Sequence, residues 1–187
     1  MISPVQIVLE VGQHFFSHLC EENFGHLFKL NPTQVQIYLN SEEPMRIRNF
    51  LIFLFWCRHY LPMRSLAVLF HLSKSSVCRI VHAEMTELSE KVHDYVRPSY
   101  PFFVLGDKGY EGCSGVYYMK KRKRGQIELT LADQDHNDLI STRRVEIEQF
   151  FAQIKNWKVI NHVYRGELNS HVQIFYCCVI LTHLSTI

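Results

Sequence analysis

Two carboxylates, far apart in the sequence, are the residues of this chain best suited to chemistry. Asp107 follows an apolar run at residues 102–105, which indicates a buried strand with an acid at its C-terminal tip. Glu148 lies within residues 143–157, where apolar side chains recur at the spacing of an α-helix. A strand-tip Asp and a Glu on a later amphipathic helix can bring two carboxylates together at one metal ion.

Helical geometry decides which acid near Glu148 can share such a site. Glu146 lies two residues away, so its side chain leaves the helix in a very different direction. At most one of the two can face a shared ion. Ordinary structural roles stay open for both candidates: Asp107 as a loop acid that caps a turn beside Gly109, and Glu148 as a surface acid paired with Arg144.

These stretches resemble the DDE-type transposases, in particular their Harbinger-like and related bacterial insertion-sequence branch. The resemblance is carried by Gly-Asp-Lys-Gly-Tyr-Glu-Gly at 106–112, Asn137, Arg-Val-Glu-Ile-Glu at 144–148, Phe151 and Lys-Asn-Trp at 155–157. It places Asp107 at the family's second catalytic Asp and Glu148 at its catalytic Glu. Both would be ligands of a divalent metal ion, Mg²⁺ or Mn²⁺, in an RNase-H-like nuclease domain.

The first catalytic Asp of that family has no counterpart here. No Asp lies between Asp94 and Asp107, and Asp94 stands in a helical context. The resemblance therefore implies an internal deletion that removed the first Asp with its neighbouring strands. Two-metal catalysis holds its ions about 3.5–4 Å apart, so we expect weak metal binding and impaired catalysis. The alternatives are an active nuclease completed by another residue or a partner chain, and an internally deleted gene product that does not fold stably.

A second resemblance, to a helix-turn-helix, covers residues 63–82. Leu66, Phe70, Leu72, Val77 and Ile80 stand where that motif packs its two helices together, and Ser73 would cap the second helix. The outward positions, which would contact DNA in the major groove, are Lys74, Ser75, Ser76, Arg79 and His82. The alternative is an ordinary helix pair with a solvated polar face.

The distribution of charge favours a polyanionic partner more than the net charge of +2 does. Residues 45–82 carry Arg and Lys but no acid. A second basic run comprises Lys120, Lys121, Arg122, Lys123 and Arg124. This run is interpreted as a phosphate contact, a nuclear import signal or a solvated loop. The sequence thus predicts DNA as partner and a nuclear location, or a cytoplasmic one in a bacterium; a protein partner or a second copy stays open.

Other chemistry is disfavoured. The longest apolar runs are too short to span a bilayer, so no membrane partner is expected. The six cysteines show no framework spacing and are expected to be reduced. A zinc site at His14, His18, Cys20 and His26 lacks a paired Cys-x-x-Cys.

The expected fold is mainly α with a small β portion of one to three short strands. We predict N-terminal helices in residues 1–43, a helix-turn-helix region in 44–98 and a truncated DDE nuclease-like domain in 99–187. Helices should begin at Pro4, Pro32 and Pro44, the first of them running to about Leu19. Residues 131–140 should form a short helix, with Ser141 or Thr142 capping the next one.

Overall fold

The computed structural model describes residues 3–95, 104–106, 113–114, 116–122, 124–125, 127–164 and 166–186. Its elements in chain order are α1 (Pro4–Gln13), α2 (Glu21–Phe28), α3 (Pro32–Leu39), α4 (Pro44–His59), α5 (Met63–Leu69), α6 (Lys74–Glu90), α7 (Val92–Tyr95), β1 (Val104–Leu105), β2 (Val116–Tyr117), α8 (Leu131–Ile154), α9 (Lys158–Asn161) and α10 (Leu168–Leu184). The expected mainly helical fold with a small β portion is confirmed. No helix in the described ranges is both long and apolar enough to cross a membrane.

The chain divides into two compact units. Unit 1 is assembled from two separate stretches, Met1–Val96 and Gln153–Ile187, and unit 2 is Arg97–Ala152. These two units are defined by which parts of the chain pack together. The three regions expected from the sequence were defined by their expected roles, and they stay a prediction.

The helices α1 and α3 begin where proline and a capping residue predict. The Ser3 hydroxyl accepts a hydrogen bond from the Gln6 amide, and Asn31 forms a capping box with Gln34. The expectation that the first helix reaches Leu19 is wrong, because α1 ends at Gln13. Leu19 instead folds back onto Gly12, where an added Cβ would collide with the leucine side chain.

The long apolar helix α4 forms the centre of unit 1. Ile47 and every residue of 50–57 are buried, so this helix is covered on all its faces. Helices α1, α2, α6 and α9 pack around it. Because these contacts surround α4, its apolar run is a core helix.

Helices α5 and α6 are joined by a turn of four residues and pack together. Leu66 on α5 and Val77 on α6 are fully buried, and both helices contact each other. His71 in the turn adopts a left-handed conformation with φ 51°, which is uncommon for a residue other than glycine. The Ser73 hydroxyl accepts a hydrogen bond of 3.0 Å from the Ser76 amide and so caps α6.

The last helix, α10, closes unit 1 against α6, α7 and α9. Trp157, just before α9, is fully buried, and its indole N–H donates a hydrogen bond of 3.0 Å to the Thr182 hydroxyl. Cys177 is also buried and its thiol lies 3.3 Å from the Met85 carbonyl oxygen of α6. The sequence's Lys-Asn-Trp signature therefore ends in a core residue.

Unit 2 contains the strands β1 and β2, which pair in parallel with Val104 opposite Val116. Most of α8 belongs to this unit. The expected break at Ser141 or Thr142 is wrong, because α8 is one continuous helix of 24 residues. The Thr142 hydroxyl donates to the Asp138 carbonyl oxygen at 2.9 Å, four residues back, so it bonds within the helix and does not cap one.

Candidate functional site

Glu148 lies beside the carboxyl end of β1, within unit 2. A cavity of about 220 Å³ is lined by Leu105 and Gly106 at that strand end and by Arg144, Ile147 and Glu148 on α8. Asp107 is the next residue after Gly106 and lies outside the described residues. The structure thus brings the predicted helix acid to the predicted strand end, as the pairing of a strand tip with a helix requires.

On α8, Glu146 and Glu148 have different arginine neighbours. Arg143 forms an ion pair of 2.9 Å with Glu146, which directs that carboxylate away from Glu148. Arg144 lines the same cavity as Glu148, and its guanidinium lies 3.9 Å from the Met119 sulfur. A positive charge on a residue that lines a cavity reduces the attraction of that cavity for a divalent cation.

The described side chains do not by themselves form a metal centre. Across the ranges that the structure describes, no three His, Cys, Asp or Glu residues are grouped so that they could hold an ion. Of the described residues that line the small cavity, Glu148 alone carries a carboxylate. A site for two ions of Mg²⁺ or Mn²⁺ needs several oxygen ligands, so the described set does not fit one. The disfavoured zinc group of His14, His18, Cys20 and His26 likewise forms no such cluster.

The helix pair α5–α6 presents most of the predicted DNA-contacting side chains on its surface. Lys74, Ser75, Arg79 and His82 are exposed. Ser76 is half-buried, and its hydroxyl lies 2.9 Å from that of Ser73, so it takes part in the cap of α6. Four of the five predicted positions are therefore accessible to a ligand.

Not all cations of the acid-free stretch, residues 45–82, are available to bind a ligand, because at least one of them is held in ion pairs. Arg46 forms ion pairs with Glu84 and, at 2.6 Å, with Glu87. Both acids lie on α6 just beyond the stretch, so counting charges along the sequence missed this pairing. Glu84 is 4% exposed, and burial raises its pKa to about 7 although the Arg46 guanidinium opposes the shift.

The second basic run is exposed where it is described, and one neighbour fixes its start. The Asn137 side chain accepts a hydrogen bond from the Lys120 amide at 2.7 Å and donates one to its carbonyl oxygen at 2.9 Å. Arg122 donates to the Ile127 carbonyl oxygen, and Lys121 and Arg124 are exposed. Lys123 lies outside the described residues. The resemblance singled out Asn137 without a role, and the structure gives it one in positioning this run.

Comparison with known families agrees with this geometry. Residues 65–183 match the model of a family described as DDE superfamily endonuclease. The match begins within α5 and extends through most of α10, so it includes both carboxylate positions. No curated protein and no solved structure matches the chain.

This protein is therefore related by descent to the nucleases. The chain belongs to the DDE superfamily endonucleases, whose members generally depend on divalent metal ions and act on DNA. The DDE resemblance is confirmed at that level. The Harbinger-like branch and the internal deletion are finer statements and stay predictions.

Proposed function

We propose that this chain is a transposon-derived, DNA-binding protein of the Harbinger-like branch whose endonuclease domain has lost the ability to cut. The observation that carries the proposal is that one side of α6 is polar and exposed while its other side is buried against α5. DNA would be contacted by this face and, through its phosphates, by the run at residues 120–124.

The α5–α6 pair suits the recognition of duplex DNA as a helix-turn-helix. Its buried side carries Leu66 and Val77, so the orientation of α6 is fixed by packing. Its other side presents Lys74 and Arg79, which are exposed. A helix that enters the major groove needs this division between a packed side and a side with basic and small polar groups.

The basic run serves the same partner in this proposal. Lys121 and Arg124 are exposed on a segment that Asn137 anchors at one end. Lysine and arginine bind phosphate without reading sequence, so this run would add affinity rather than specificity. The same exposed cluster suits an import receptor, and we propose a nuclear location for the protein.

Catalytic impairment follows from the ligands that the chain offers. The sequence has no candidate for the first Asp, and a basic residue, Arg144, lines the cavity at Glu148. One retained Glu, even joined by Asp107, would hold at most one ion weakly. Two-metal hydrolysis needs both ions, one at the attacking and one at the leaving oxygen.

DNA binding is tested by removing two cations from the face of α6. Replacing Lys74 and Arg79 together by Ala should weaken binding to duplex DNA. It should also reduce the slope of log K against log salt, by at most about 1.8, because each cation that neutralises a phosphate contributes about 0.9. The measurement is a salt titration by fluorescence anisotropy.

The matched control replaces Arg143 and Lys155, two exposed cations of the α8 region, by Ala. This variant loses the same net charge and should keep the parent slope within error. Equal slopes for the parent and the Lys74/Arg79 variant would refute the assignment of α6 as the recognition helix.

A further inference from the structure

A cavity of about 650 Å³ lies within unit 1, and none of the predicted DNA-contacting residues of α6 lines it. It is formed by the end of α4, the segment that leads into α5, and α9 with the loop that follows. The side chains that matter for its chemistry are Trp56, His59, Tyr60, Lys158, His162 and Tyr164. Its volume falls in the range of about 300–1,000 Å³ typical of small-molecule sites.

Aromatic rings dominate the walls of this cavity. The rings of Tyr60 and His162 are nearly parallel, at 19°, with their centroids 6.5 Å apart. Trp56 lies 5.9 Å from Tyr60, centroid to centroid. Both rings line the cavity, and aromatic rings are the platforms on which nucleobases stack.

The backbone at Tyr60 places its ring at the end of α4. Tyr60 ends α4 in the left-handed region, with φ 50° and ψ 43°. This conformation is unfavourable for a residue with a bulky side chain, and Gly or Asn would end the helix at lower cost. Lys29 and Asn40 end α2 and α3 in the same region, so this conformation alone assigns no function to Tyr60.

The charge of the cavity suits an anion. Lys158 is exposed at the start of α9, and none of the described residues lining the cavity is a carboxylate; one acid with an electrostatic effect on the lining is Glu167, which acts on Tyr164. Arg58 is held nearby, since its guanidinium donates a hydrogen bond of 2.7 Å to the Asn156 carbonyl oxygen. His59 donates its ring N–H to the Leu27 carbonyl oxygen at 3.0 Å, and burial lowers the pKa of His59. Lys158 is therefore the cation best placed for a phosphate.

We propose that this cavity binds a nucleotide: a base stacked on the rings of Tyr60 and His162, with its phosphate paired to Lys158. The nucleotide would come either from solution or from an unpaired position in DNA. The inference goes beyond the proposed function, because binding a free nucleotide does not require the helix-turn-helix. It adds a preference for unpaired bases to the duplex binding assigned to α6.

The test uses the fluorescent base 2-aminopurine, which is quenched on stacking. Three probes are compared: the 5′-monophosphate of 2-aminopurine deoxyriboside, a duplex with this base unpaired at its centre, and the same duplex fully paired. The parent should bind the monophosphate with quenching and prefer the unpaired to the paired duplex by about tenfold, as the stacking of one base implies.

Tyr60→Asn is the main variant, because Asn tolerates the left-handed conformation and lacks the ring. It should abolish the tenfold preference and leave binding of the paired duplex unchanged. Lys158→Gln should weaken the monophosphate but leave the nucleoside without phosphate unaffected. The control is Tyr176→Ala, which removes a ring from α10 that is 40% exposed and does not line the cavity.

Three results would overturn the inference. One is a parent that shows no preference for the unpaired base and no quenching of the monophosphate. Another is a preference for the unpaired duplex that survives in Tyr60→Asn; if this variant does not fold, an unchanged affinity of Lys158→Gln for the monophosphate decides instead. Occupation by an acidic peptide, with no nucleotide bound, would assign the cavity to a protein partner and also refute it. If the parent binds the monophosphate as expected but does not bind the paired duplex, this result contradicts only the assignment of α6 as the DNA-contacting helix.

Discussion

Glu84 is the residue whose surroundings most affect the pH dependence of this fold. Its carboxylate is buried on α6 and paired with Arg46 of α4. Burial raises its pKa from 4.5 to about 7, so the folded state holds the proton more tightly than the unfolded chain does. The stability contributed by the protonated form is complete below about pH 4.5 and is lost as the pH rises through about 7.

For this residue we therefore predict that the free energy of unfolding falls as the pH rises from about 5 to about 8. From the shift of Glu84, the fall should amount to at most about 3 kcal/mol. Glu84→Gln should remove this component, which urea titrations at several pH values measure as the difference from the parent. Glu90→Gln, at an exposed position of the same helix, serves as control and should keep the parent profile. A Glu84→Gln curve parallel to the parent's would contradict the prediction.

At the scale of elements, α8 allows a direct test of a helix boundary. Because Thr142 bonds back to Asp138 inside a continuous helix, Thr142→Ala should be neutral or slightly stabilising, alanine being the better helix former. If Thr142 were an N-cap, the same change would cost about 1 kcal/mol. Thermal unfolding distinguishes the two outcomes.

The matched comparison is Ser73→Ala, which removes a real cap from α6 and should cost about 1 kcal/mol. Equal destabilisation by the two substitutions would mean that α8 is broken at Thr142. Loss of helical circular dichroism in Thr142→Ala would point the same way.

Local signals made much of the helical layout predictable. Pro32 with the Asn31–Gln34 capping box marked the start of α3, and Ser73 marked that of α6. These signals work because each satisfies backbone donors within one turn. The same reasoning failed at Thr142, since a hydroxyl that could cap a helix can equally bond to a carbonyl four residues back.

Features set by contacts between distant residues were not predictable. The short helix α2 depends on a bond from the Cys20 amide to the Asn23 side chain and on the burial of Phe24 and Phe28, and no periodic pattern announced it. The cavity around Tyr60 joins residues about a hundred positions apart, His162 among them. The identity of the two carboxylates and their order along the chain can be read from the sequence. That Arg144 lines the same cavity as Glu148 is known only from the structure.

At the scale of the whole molecule, the prediction is that the chain binds DNA without cutting it. Purified protein in Mg²⁺ or Mn²⁺ should nick supercoiled DNA no faster than Glu148→Ala does, because the described carboxylates do not assemble a two-ion site. Agarose gels measure nicking, and anisotropy on the same samples verifies that they bind DNA.

The control is Glu146→Ala, whose side chain is engaged by Arg143. Metal-dependent nicking that survives in Glu146→Ala and disappears in Glu148→Ala would show an active enzyme. A further ligand would then have to come from another residue or a partner chain.

The assembly of unit 1 from both ends of the chain has a consequence for how the protein is made. Helix α6 is synthesised long before α10, yet its Met85 region is covered by α10. Until the ribosome has released the second stretch, the part of α6 that α10 covers stays exposed in the nascent chain, although α4 and α5 can already pack on its other sides. Such exposed surface during synthesis favours aggregation and chaperone capture, so the yield of folded protein should depend on the rate of translation across residues 97–152.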